Sequence, residues 1–92
     1  MLVLISYDIS NSAKRSKVLN NVYKICKRYL YQIQYSVFIG ELTKPLFNEL
    51  IIKLKNETDE KLDSLLIIKI KNKHNAKTEY YGNKQFLDNI IC

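Results

Sequence analysis

Val3, Leu4 and Ile5 begin an apolar run that ends on Tyr7 and Asp8, short enough to predict a buried strand over residues 2–7. Ser10, Asn11 and Ser12 are cap-forming residues, and a helix is expected to follow over residues 12–30. On a helical wheel Val18, Val22, Ile25, Cys26 and Tyr29 share one face, while Lys14, Lys17, Asn21, Lys24 and Arg28 share the opposite one. Residues 31–41 then change period: Ile33, Tyr35, Val37 and Ile39 alternate with Gln34, Ser36 and Phe38, which predicts one strand with Phe38 as the apolar member of a polar face. Thr43 caps a second helix with Pro45 in its first turn, and Leu46, Phe47, Leu50, Ile51 and Leu54 form its inward stripe. Residues 55–63 read as a charged loop. Residues 64–71 form a third strand, continuously apolar from Leu65 to Ile68 and therefore expected at the centre of a sheet. After a polar segment, residues 78–81 and 86–91 read as two short strands flanking Gly82.

Strand, helix, strand, helix and further strands predict an α+β sandwich in which both helices cover one face of the sheet. No repeat, low-complexity tract or linker divides the chain, so residues 1–92 are expected to form one domain. A chain of 92 residues hides only roughly 60–65% of the surface its unfolded form exposes. The sheet face without helices needs a cover, and a second copy of the chain, in a homodimer, is the expected one.

A hydrophobic content of 47% with 26% charged residues is ordinary for a globular protein and argues against a disordered chain. No apolar run approaches a membrane span, and Met1 leads directly into the first strand without a charged leader, so the chain is expected to be cytoplasmic with no membrane association. Cys26 and Cys92 lack metal-ligand spacing and read as reduced thiols. Charge placement adds more. Residues 1–40 hold six cations (Lys14, Arg15, Lys17, Lys24, Lys27 and Arg28) against Asp8 alone, whereas residues 41–92 hold nine lysines against eight acids. A basic half beside a balanced one points to a polyanion, because phosphates bound by clustered Lys and Arg release counterions. Lysine is also abundant throughout the chain, so compositional drift is the competing account of the same excess.

Asp8 is the main candidate for chemistry. A strand end fixes a carboxylate while its oxygens reach solvent, which suits a base or a ligand for magnesium. One carboxylate makes a poor metal site, so Asp8 would need a partner group or a nucleic acid; the alternative is that Asp8 caps the following turn or pairs with Arg15, expected near the end of the first strand. His74 stands alone in a polar hinge. Tyr80 and Tyr81 fit a core or an interface better than base stacking. No phosphate loop, nucleophile elbow, zinc pattern or paired-carboxylate motif is present.

YDIS at 7–10, KRSK at 14–17 and RYLYQIQYSVFIGEL at 28–42, continued by DSLLIIKI at 63–70 and LDNII at 87–91, resemble the CRISPR-associated protein two family, small ferredoxin-like proteins of the spacer-acquisition machinery. The resemblance spans essentially the whole chain. It implies a homodimer whose sheets face each other, with the last strand crossing to the partner, and it implies that Asp8 meets its twin at the two-fold axis to bind magnesium or manganese. Members are described both as metal-dependent nucleases on RNA or DNA and as scaffolds that hold integrase subunits on duplex DNA. Carried over, Tyr7 and Asp8 would line the dimer cleft, Arg15 and Lys17 would touch phosphates, and Ser36 and Phe38 would shape the cleft wall. The chain departs from the family at Gln32, where many relatives have arginine, at Lys17, where some have a second arginine, and at Leu30, where glycine is common. The expected function is backbone binding of duplex nucleic acid within a CRISPR adaptation complex, with nuclease activity secondary; a stand-alone, toxin-like ribonuclease is the alternative.

Overall fold

The computed structural model describes residues 1–72 and 75–82. Strand β1 (Leu2–Asp8) is followed by a 3-10 turn (Ala13–Arg15) and helix α1 (Ser16–Tyr29). Strands β2 (Tyr31–Gln34) and β3 (Val37–Glu41), helix α2 (Lys44–Glu57) and strands β4 (Ser64–Asn72) and β5 (Asn75–Gly82) complete the order. The sheet runs β2-β3-β1-β4-β5 with every neighbouring pair antiparallel. This is the βαββαβ arrangement of ferredoxin-like proteins with a fifth strand added at one edge. The expected α+β sandwich is therefore present, and both helices pack on one face. The expected strand at 86–91, His74 and Cys92 lie outside the described residues.

The helix-covered face carries Val3, Ile5 and Tyr7 of β1, Phe38 of β3, and Leu65 and Ile67 of β4, all buried. Against them lie Val22 and Cys26 of α1 and Phe47, Leu50 and Leu54 of α2. Burial of this apolar set supplies most of the driving force for folding. Because side chains alternate along a strand, Leu2, Leu4, Ser6 and Asp8 face the other way. Leu4 sits between Ile39 and Ile68, and Ser6 between Val37 and Leu66, so the uncovered face is largely apolar until Asp8. No helix among the described residues is long and apolar enough to cross a membrane.

Several expectations change. Residues 31–41 form a hairpin, not a single strand: Gln34 pairs with Val37 across a turn at Tyr35 and Ser36, and the register shifts between Gln32 and Gln34. Of the usual turn residues that turn contains only Ser36, with no Gly, Pro, Asn or Asp and no positive φ, so its signature is weak. The turn and shift place Phe38 beside Ile5 on the buried face and leave Ile33 and Tyr35 exposed. In α2, Thr43 Oγ1 accepts the Leu46 amide hydrogen at 3.4 Å as expected. Leu46 itself faces solvent, because the inward direction is set by Phe47, Leu50 and Leu54. β4 is interior, paired with β1 on one side and β5 on the other, but the middle of the five described strands is β1. The charged loop begins later than predicted, and its last residue, Asp63, is buried.

Candidate nucleic-acid interface and carboxylate site

Asp8 ends β1 exposed, opposite Ser64 of β4, which in turn faces Gly82 of β5. Gly82 has φ 122°, and a Cβ there would collide with the Asp63 carbonyl and with Ser64, so only glycine lets β5 close on β4 at this level. Among the described residues nothing hydrogen-bonds or pairs with the Asp8 carboxylate, and no three His, Cys, Asp or Glu side chains gather as a metal site.

The expected Arg15–Asp8 pair does not form. Arg15 Nη2 instead donates to Asp63 Oδ2, with side-chain exposures of 17% and 0%. Asp63 Oδ1 accepts the Ser10 amide hydrogen at 3.0 Å, and Oδ2 accepts that of Asp59 at 2.8 Å. One buried carboxylate thus ties the β1–α1 loop to the α2–β4 loop, satisfying two backbone donors and one cation. A buried charge with several donors holds its partner more firmly than an exposed one, which explains why Arg15 turns inward. The sequence offered no way to single out Asp63 from the neighbouring acids Glu57, Asp59 and Glu60.

Lys14, Lys17, Lys24 and Arg28 are all exposed, the last three on α1, whose 14 residues span about 21 Å. Asn21, expected in the same stripe, is half-buried and donates to Glu57 of α2 at 2.6 Å. Arg15, expected to touch phosphates, has its guanidinium committed to Asp63.

Tyr7 and Asp8 adjoin in sequence but lie on opposite faces of the sheet. The Tyr7 ring stacks on Phe38 at 6.0 Å between centroids, and Tyr23 meets Phe38 edge-on, also at 6.0 Å. Phe38 is fully buried, so its part is to support Tyr7 from beneath, not to line an opening. Tyr7, Tyr23, Tyr35 and Ser36 do line a groove of about 450 Å³ beside α1, and the Ser36 carbonyl accepts the Tyr7 amide hydrogen at 3.1 Å. Gln32 braces the groove wall: it accepts from Tyr23 Oη and donates to the Tyr35 carbonyl, both at 3.3 Å. Gln32, where the family resemblance implies an arginine, is thus a neutral side chain that braces the hairpin turn.

Burial pushes the Cys26 thiol up to about 12, and the Tyr7 hydroxyl, through burial and then its neighbours Cys26 and Tyr23, also to about 12. Neither is a nucleophile at neutral pH. Both groups are harder to ionise when folded, so their stabilising effect is complete below the ordinary thiol value of 9.0 and is lost as pH rises toward 12. The melting temperature is expected to fall across that window. Cys26→Ala, though less stable at neutral pH, should fall less over the same window; parallel curves would remove the thiol from the explanation.

Sheet order, helix placement and an exposed strand-end carboxylate together define a small, basic ferredoxin-like protein. Its family follows from the comparisons. A family model described as CRISPR associated protein Cas2 matches residues 1–78. The chain belongs to that family. It is 38% identical over 82 residues to the CRISPR-associated endoribonuclease Cas2 of Fusobacterium nucleatum subsp. nucleatum, covering 89% of this chain and 77% of that one. It is 33% identical over 86 residues to the protein of the same name from Chlorobaculum tepidum, covering 92% and 90%. The crystal structure of Streptococcus pyogenes Cas2 superposes with a TM-score of 0.64 at 25% identity, covering 100% of this chain and 96% of that one.

Proposed function

We propose that the chain acts as a homodimer in CRISPR adaptation, where it holds duplex nucleic acid by its backbone beside an integrase subunit, with metal-dependent phosphodiester cleavage at paired Asp8 carboxylates as a secondary activity. The observation that carries the proposal is Asp8 itself: exposed and without a partner among the described residues, at the end of the row Leu2, Leu4, Ser6 on the uncovered face. A second copy stacked on that face would cover Leu4, Ile39, Leu66 and Ile68 and bring in a second Asp8.

The donor set suits magnesium or manganese. Asp8 is a hard oxygen ligand at the edge of solvent, and magnesium commonly takes one or two protein carboxylates while keeping several waters. Such an ion, when bound, neutralises charge on a phosphodiester and lowers the pKa of a bound water. The protein's own contributions are a fixed carboxylate from each chain and a cationic surface at Lys14, Lys17, Lys24 and Arg28 that positions the phosphates. The name endoribonuclease carried by the relatives favours RNA for any cleavage, whether within the complex or by a stand-alone enzyme.

The test uses wild-type protein and Asp8→Asn with labelled duplex DNA and single-stranded RNA, in magnesium, manganese or chelator. Expected results are duplex binding by both proteins, metal-dependent cleavage by wild type alone with at least about a hundredfold loss in Asp8→Asn, and a metal-induced rise in melting temperature confined to wild type. Cleavage that survives the substitution, or equal melting shifts in both proteins, would remove Asp8 from the metal site. A monomeric wild-type protein would overturn the paired site.

A further inference from the structure

The pole of the sheet opposite Asp8 holds a second concentration of cations, apart from the exposed face of α1. β3 ends there at Glu41, α2 begins there at Lys44, and the β4–β5 ladder carries Lys69 opposite Lys77 near that end. Between the first turn of α2 and that ladder lies a recess of about 810 Å³. Leu42 and Phe47 contribute apolar lining, and Lys44, Lys69, Lys71 and Lys77 converge on it.

Charge in the recess is only partly compensated. Lys69 pairs with Glu79 at 2.6 Å while its ammonium lies 5.2 Å from the centroid of the Phe47 ring, and the Met1 ammonium pairs with Glu41 at 3.0 Å. Lys44, Lys71 and Lys77 are exposed and have no carboxylate partner among the described residues. Like charges placed directly across two strands destabilise the pair, and Glu79, the acid that relieves Lys69, leaves Lys77 uncompensated. The first turn of α2, where acids are favoured by the helix dipole, holds none and has Lys44 instead. Separate ammonium groups, with no arginine fork among them, suit phosphates contacted as point charges better than carboxylates gripped in pairs.

We propose that this recess is a second backbone-phosphate site for duplex nucleic acid. It lies about 20 Å along β1 from Asp8. Because it opens on the helix side of the sheet, a partner chain covering the other face leaves it free. The inference rests on the reading that the chain binds nucleic acid, and it adds a second contact surface to the one on α1. A duplex that engages both surfaces is gripped at two places on one protomer, which fixes its direction without reading its sequence.

The experiment titrates salt against binding of a duplex of about 30 base pairs, long enough to reach both surfaces, followed by fluorescence anisotropy with the full chain. Three proteins are compared: wild type, Lys44→Gln/Lys71→Gln/Lys77→Gln, and Lys14→Gln/Lys17→Gln/Lys24→Gln. All the substituted side chains are exposed, so folding should persist. Loss of three phosphate contacts is expected to flatten the slope of log K against log salt by about 2.7 and to weaken all sequences alike. If the recess variant matches wild type while the α1 variant weakens, the recess is not a site and the proposed function stands. If the recess variant weakens and the α1 variant does not, the recess holds and the α1 assignment falls; if wild type does not bind duplex, both readings fall. Displacement of duplex by polyglutamate below the concentration of a duplex of equal charge would assign the recess to an acidic protein segment and overturn the proposal. So would micromolar competition by a mononucleotide that depends on the same three lysines.

Discussion

Replacing Asp63 by alanine is expected to destabilise the protein by about 3–5 kcal/mol, the usual cost of removing one partner from a buried ion pair. The side chain is fully buried, and it accepts from Arg15, from the Ser10 amide and from the Asp59 amide. Its removal leaves a largely buried guanidinium without a counter-charge and two backbone donors without an acceptor. The Arg15 Nε already lacks a partner among the described residues, so the guanidinium has little other compensation. Total stability for a domain of this length is of order 5–14 kcal/mol, so the variant should be partly unfolded near 37 °C. Replacing both partners by apolar residues of similar volume, Arg15→Met with Asp63→Leu, should recover much of the Arg15 part of the loss but not the Ser10 and Asp59 hydrogen bonds. Urea unfolding of the single and double variants forms a cycle in which the two costs are strongly non-additive. An Asp63→Ala variant within about 1 kcal/mol of wild type would show that the ion pair does not hold the two loops together. The loop from Ser10 to Arg15 follows Asp8 and carries Lys14, so loosening it should also lower duplex affinity in any protein that remains folded.

Phe38→Ala is expected to cost a similar amount, about 3–5 kcal/mol, for a different reason. The ring has no exposed surface, stacks on Tyr7 and receives Tyr23 on its edge. Truncation removes the transfer energy of the ring, two aromatic contacts worth about 0.5–1.5 kcal/mol each, and the support beneath the groove, and it leaves a cavity. Phe38→Leu, which refills part of that space, should cost clearly less. A strand with Phe38 on its polar face, as the alternation over residues 31–41 predicts, would instead give a change within about 0.5 kcal/mol for either substitution. Thermal melts of the two variants decide between these parities directly.

The sequence pattern points away from the buried positions of both Asp63 and Phe38, and for related reasons. The parity of a strand follows from period-two alternation only while the strand is continuous. The turn at Tyr35 and Ser36 has only Ser36 as a turn-forming residue and no Gly, Pro, Asn or Asp, so little local announces that Ile33 and Tyr35 do not belong to the strand that carries Phe38. Asp63 looked like one more acid in a charged loop; its burial depends on Arg15 and Ser10, 48 and 53 positions away. A first-turn position beside the end of the first strand predicts Asp8 as the neighbour of Arg15, yet the buried carboxylate brought in by the α2–β4 loop wins the guanidinium. The lysines of the opposite recess were unremarkable in sequence, since Lys44, Lys69 and Lys77 belong to three different elements.

The sequence by itself determined the element types, the helix-covered sandwich, the cap at Thr43, the apolar stripe of the first helix, that of the second apart from Leu46, and the exposed strand-end position of Asp8. These follow from spacing within a dozen residues, where side-chain periodicity and capping chemistry act locally. Tertiary structure alone decided which face Phe38 takes, which acid holds Arg15, that Tyr7 and Asp8 look away from each other, and that lysines from separate elements converge. Each of these depends on contacts between distant segments, where burial energy and the strength of a desolvated charge pair override what neighbouring residues prefer.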